Sequence, residues 1–110
     1  MIEASSVLVG ETMTITLYVY DADDALTDPD GYGDPEPTYP SVTIRKGETK
    51  YVDAVIDAAD MATRTTLGTF VYKWQTAGCR PGPYMITCGS VVDGDIRMPQ
   101  KTVYLRSPGT

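Results

Sequence analysis

Residues Glu11 to Tyr20, ETMTITLYVY, alternate without a break: Met13, Ile15, Leu17 and Val19 fall on one side, and Thr12, Thr14, Thr16, Tyr18 and Tyr20 on the other. A period of two puts successive side chains on opposite faces, so this stretch predicts a half-buried antiparallel strand. A shorter strand over Ser6 to Val9 precedes it, with Gly10 suited to a tight turn or bulge between them. The same alternation recurs in SVTIRK, Ser41 to Lys46, with Val42 and Ile44 inward. The Gly47-Glu48-Thr49 turn then leads to Tyr51–Ile56, and the pair reads as a hairpin. Asp57 to Met61 is Ala-rich and fits either a short helical turn or an irregular edge strand.

Beyond Gly68 the pattern sharpens. In TFVYKWQT, Phe70, Tyr72 and Trp74 share one face and Val71, Lys73 and Gln75 the other. An aromatic row of this kind also occurs as a sugar platform, but a core role fits it better. The AGCRPGP loop follows, and then YMITCGSVV, where Tyr84, Ile86 and Cys88 alternate with Met85 and Thr87 up to a turn at Asp93-Gly94-Asp95. A last strand over Lys101 to Arg106 turns Val103 and Leu105 inward and ends at the Ser107–Thr110 tail. Seven or eight short strands with regular turn signals and no long helix predict an all-β antiparallel sandwich.

Composition agrees. The 110 residues suffice for one core and one domain, residues 1–110, and the eight Tyr with many Val, Ile and Thr favour strands. Charge changes the picture more. The net charge is −6, yet residues 1–44 carry nine acidic and no basic side chains, while 45–110 carry six acidic and nine basic. An acidic chain without a basic stripe is a poor match to a phosphate backbone, so nucleic acid is not an expected partner. No apolar run exceeds four residues, so no membrane span or signal segment is read from the sequence. Met1 followed by strand-like residues from Val7 reads as the start of a small open reading frame.

Histidine is absent, which excludes Ser-His-Asp and Cys-His catalysis and His-ligated metal sites. Cys79 and Cys88 lie in a loop and in the strand after it, a placement that favours two free thiols and a reducing cytoplasm. No pair of carboxylates stands apart as an acid and base, so the chain reads as a non-enzyme.

The stretch GTFVYKWQTAGCRPGPYMITC resembles immunoglobulin-like sandwiches. Gly82-Pro83-Tyr84-Met85-Ile86 looks like a tyrosine corner, with Tyr84 and Trp74 as structural residues, and Ile86 stands where antibody domains carry their second Cys. VGETMTITLYVYDADDALTDPD and Asp60-Met61 resemble the Ig-like modules of tailed bacterial and archaeal viruses, and more distantly macroglobulin-type domains. The Pro-rich Tyr32 to Pro40 is longer than that pattern.

The long acidic loop, about 21–40, holds seven carboxylates between Asp21 and Pro37. Calcium takes six to eight oxygens, and Asp21, Asp23, Asp28 and Asp30 are the candidate ligands, although no EF-hand spacing is present. The other readings are a solvated loop, rich in turn-forming residues, and a contact surface built on Asp24, Tyr32, Asp34, Glu36 and Tyr39. Tyr18, Tyr20, Tyr51 and Tyr104 add rigid contact area suited to protein partners. What the resemblance implies is a structural virion protein, a capsid decoration, head-tail junction or tail component. Its partners would be other virion proteins or copies of itself, with assembly in the host cytoplasm. The alternative is a carbohydrate- or cell-surface-binding module with calcium in the acidic loop.

Overall fold

Strand β3, Thr12–Tyr18, realises the alternation that the sequence dictates: Met13, Ile15 and Leu17 are buried, as is Val19 just beyond, and the intervening residues face outward. The computed structural model describes residues 1–32, 39–46 and 56–107. The expected Gly47-Glu48-Thr49 turn, Tyr51, Asp34, Glu36 and the end of the tail lie outside them. Every regular element among the described residues is a strand.

Two sheets form, one of them strongly curled. The first has four strands in the order β1 (Ile2–Glu3), β3, β7 (Thr69–Gln75) and β6 (Thr63–Thr66). The second runs β2 (Val7–Leu8), β10 (Gln100–Arg106), β8 (Gly82–Val92), β4 (Ser41–Lys46) and β5 (Ile56–Asp60), with β9 (Asp95–Arg97) folded back on the end of β8. Among the described residues all strand pairings are antiparallel except β2 with β10. The N-terminal segment therefore serves both sheets: β1 adds to β3, and β2 crosses over to lie beside the last strand.

Register follows from the side chains that must be inside. Ile44, Ile86 and Lys101 lie side by side across β4, β8 and β10, and a one-residue slip would turn Val42, Ile44, Tyr84, Ile86 and Cys88 out to water. From the other sheet, Phe70 and Trp74 point inward, with Tyr72 half-buried between them. Trp74 meets Tyr84 edge to face, ring centres 5.3 Å apart at 65°. Truncating either Phe70 or Trp74 would cost about 3–5 kcal/mol. The row is core, as the alternation predicts.

One open alternative is decided by the fold, and three short strands add to the expectation. Asp57 to Met61 takes the edge-strand alternative rather than the helical turn: β5 pairs with β4 through a register shift, Ala58 sits at φ +48, and Met61 is buried. The strands β1, β6 and β9 are additions, because two to four residues carry too little alternation to be read. Both cysteines are free, Cys88 buried and Cys79 half-buried.

The connections are pinned by polar groups. Buried Thr76, just past β7, donates its hydroxyl to the Glu11 carbonyl (2.6 Å) and accepts from the Gly10 amide (2.9 Å), tying the β2–β3 turn to the other strand end. Gly68, between β6 and β7, has φ +68, and a Cβ there would lie 2.9 Å from the Thr27 backbone. Only glycine lets these two loops meet.

Candidate functional site

The loops of one end of the sandwich collect most of the candidate residues. The chain leaves β3 as a narrow turn: the Asp21 carboxylate accepts the amides of Asp23 (2.8 Å) and Ala25 (3.0 Å), and Tyr20 bridges to Leu26. Asp24 stands at its tip, exposed and at φ +59, a conformation that Asp tolerates better than most residues. The chain then returns to the sheet, since the Thr27 amide donates to the Val19 carbonyl (3.0 Å) and the Val19 amide to the Gly68 carbonyl (2.8 Å).

Asp28 and Asp30 each lock a different neighbour. Arg64 on β6 donates twice to Asp28, at 2.9 Å each, and the Gly68 amide donates a third bond of 2.9 Å. The Arg64 bonds, helped by the Gly68 amide, hold the Asp28 carboxyl below its ordinary value although partial burial pulls the other way. Asp28 in turn raises Arg64 further. Two residues on, the Asp30 carboxylate accepts the amides of Asp93 (3.0 Å) and Gly94 (2.8 Å), and its own amide donates to the Val91 carbonyl (2.8 Å). Asp30 thus anchors the turn between β8 and β9.

The four carboxylates expected at a cation are accordingly dispersed. Asp21 closes its own turn, Asp28 binds Arg64, Asp30 binds the β8–β9 turn, and Asp23 lies exposed beside Asp21. Among the described residues no group of three or more acidic or thiol side chains is placed to hold a metal ion. Asp21, Asp28 and Asp30 instead accept backbone amides of the chain.

Of the expected contact residues, Asp24 is outward, whereas Tyr32 and Tyr39 are half-buried against the core. Tyr32 meets Phe70 at 5.7 Å and Tyr39 at 6.1 Å, both edge to face, and the Arg64 guanidinium lies over its ring at 5.3 Å. These rings stabilise the loop as much as they present it. Trp74 and Tyr84 are both buried, and the Tyr84 hydroxyl donates to the Arg80 carbonyl across 2.8 Å.

The sequence reading missed the apolar part of this end. Val92 is buried, so Val91 must face out, and the two-residue Asp93-Gly94 turn sets Ile96 directly opposite it. Ile96 is 74% exposed, Met98 62% and Val91 40%. The arm borders two shallow clefts of about 430 and 300 Å³, one towards Tyr18 and Tyr20, the other towards Tyr39 and Pro29. Alternation carried through the Asp-Gly turn was the signal for it.

At the opposite end, β4, β8 and β10 bring basic residues together. Arg45 is beside Met85, Arg106 beside Leu8, and Arg80 precedes β8, all three arginines exposed. The eleven residues of β8 separate the two ends by about 33 Å at ordinary strand rise. That distance is several Debye lengths at physiological salt, so each end keeps its own field. Compared with protein-family models, curated proteins and solved structures, the chain matches none.

Proposed function

We propose that the chain is an immunoglobulin-like assembly module of a virion, a non-catalytic capsid-decoration, head-tail junction or tail protein that works through protein contacts. The strand order is the observation that carries the Ig-like part. Support for it comes from a four-stranded sheet packed on one in which β8 is flanked by β4 and β10, with β2 parallel to the last strand, and from the Tyr84–Arg80 hydrogen bond, a contact of the kind a tyrosine corner would make. The contact role draws its support from the loop end, where an exposed apolar arm carries Asp93 and Asp95 at its own turn. Exposed apolar groups with a charged rim suit a protein partner. The virion part rests on the resemblance of the N-terminal half to viral modules.

Assembly would take place in the host cytoplasm, with other virion proteins or further copies of the chain as partners. The calcium-dependent glycan-binding alternative loses ground because the Asp21, Asp28 and Asp30 carboxylates already accept hydrogen bonds from the chain itself. Quantitative mass spectrometry of particles purified from a culture carrying the gene tests the proposal. A fixed multiple of copies per particle is expected, and absence of the chain from every particle fraction would overturn the virion role.

A further inference from the structure

The outer face of the six-stranded sheet has an internal order that bears on its partner. Thr87 occupies its middle, flanked by Thr43 on β4 and Gln100 on β10. Tyr104 lies opposite Pro83, four residues from Thr87 towards the basic end, and the exposed Val91–Ile96 pair lies four residues away towards the acidic end. Arg106 follows Leu105, which is opposite Gly82, so it stands six residues from Thr87. Asp93, in the exposed β8–β9 turn, stands six residues the other way. The outward positions alternate as they should: Arg45, Met85, Thr102 and Tyr104 belong to this face because Ile44, Ile86 and Val103 are buried.

We propose that this face binds a second copy of the chain, antiparallel, about a two-fold axis near Thr87. Such a rotation lays Val91 and Ile96 of each copy on Tyr104 of the other and brings Asp93 of each to Arg106 of the other. An isologous interface requires this self-complementarity: apolar on apolar at equal distances from the axis, with opposite charges outside them. The polar centre of Thr43, Thr87 and Gln100 meets its own image, where hydroxyls and an amide serve as both donors and acceptors. Area is adequate. Strands of two to eleven residues, about 4.8 Å apart and rising about 3.3 Å per residue, offer roughly 540 Å² per copy, a total just above the about 1,000 Å² that a specific interface must clear.

This inference rests on the assembly reading and adds the partner and symmetry. It differs from a head-to-tail contact, which would use the same charges to build open chains.

Sedimentation equilibrium of the purified full chain, at about 50 mM and about 1 M salt, tests it, since screening acts on the Asp93–Arg106 contacts. The expected result is a dimer whose affinity falls with salt. Ile96→Ser, Asp93→Lys and Arg106→Glu should each weaken it at least about tenfold, with far-UV circular dichroism unchanged. An equimolar mixture of the Asp93→Lys and Arg106→Glu variants should dimerise again, because in the mixed pair both contacts join opposite charges. A monomer at low salt and high concentration, an open-ended oligomer, or a dimer indifferent to all three substitutions would each overturn the proposal. A chain that stays monomeric but is found in particles removes this dimer and leaves the assembly reading. A dimer absent from particles does the reverse.

Discussion

Arg64 grips Asp28 from a separate strand with two parallel hydrogen bonds, Nε to Oδ1 and Nη2 to Oδ2, each 2.9 Å long. The fork fixes β6, an otherwise fully exposed edge strand, to the loop that follows β3. Because Asp28 also accepts the Gly68 amide, three segments meet on one carboxylate. With the folded pKa depressed, the contribution of Asp28 is complete above its ordinary value of 3.8 and is lost as pH falls through the lower folded value. Asp28→Asn should therefore lower the melting temperature at neutral pH and flatten its decline below about pH 4. Melting curves over that range, with wild type alongside, provide the check; parallel acid limbs would rule it out.

Asp30 has a local task, holding the Asp93 and Gly94 amides of the β8–β9 turn. Asp30→Ala removes both acceptors, as in the loss of a helix cap, at a cost on the order of 1 kcal/mol. Hydrogen exchange should locate the effect: the amides of Asp93 and Gly94 lose protection, while those of β3 and β7 keep theirs. The arm carrying Ile96 would loosen with the turn.

The Tyr84 hydroxyl spans the loop from Arg80 back to the start of β8. Tyr84→Phe keeps the ring against Trp74 and deletes one hydrogen bond, so a loss of about 1–2 kcal/mol is expected in urea unfolding with an unchanged m-value. No measurable change would mean that water replaces the bond without cost.

Burial pushes the Cys88 thiol up to about 12. Its unfolded value is near 9.0, so the protonated thiol favours the fold fully below that pH, and the advantage disappears as pH rises from there towards the folded value. Stability should fall along that alkaline limb, less steeply in Cys88→Ala than in wild type. Burial raises the half-exposed Cys79 as well, though Lys46 opposes it. Iodoacetamide at about pH 8 should label Cys79 slowly and Cys88 only after unfolding.

Much of the architecture was legible because one-sided burial writes itself into a period of two. Met13, Ile15 and Leu17 in β3, Val42 and Ile44 in β4, Tyr84, Ile86 and Cys88 in β8, and Val103 and Leu105 in β10 all face the core as their alternation implies. The turn at Asp93-Gly94 was equally plain, since both residues adopt positive φ, at +51 and +79, and Asp-Gly suits that conformation. The strands β1, β6 and β9 were too short for any period to emerge. Ile2, for instance, joins the core through a pairing with Leu17 of β3 that two residues of sequence do not record.

The acidic loop divides along the same line. Its sequence determined that turns would form there and that the loop would be strongly negative, because Asp, Gly and Pro favour turns in any context and charge is additive. Which carboxylates would remain outward was decided by the tertiary structure alone. Arg64 lies thirty-six residues from Asp28, and Gly94 sixty-four from Asp30, so no local pattern records either bond. The sequence by itself set the strands and their inward faces, since burial acts residue by residue along the chain. Packing the two sheets decided the rest, because hydrogen-bond partners, exposed apolar arms and the separation of acidic from basic ends depend on which distant segments come to lie side by side.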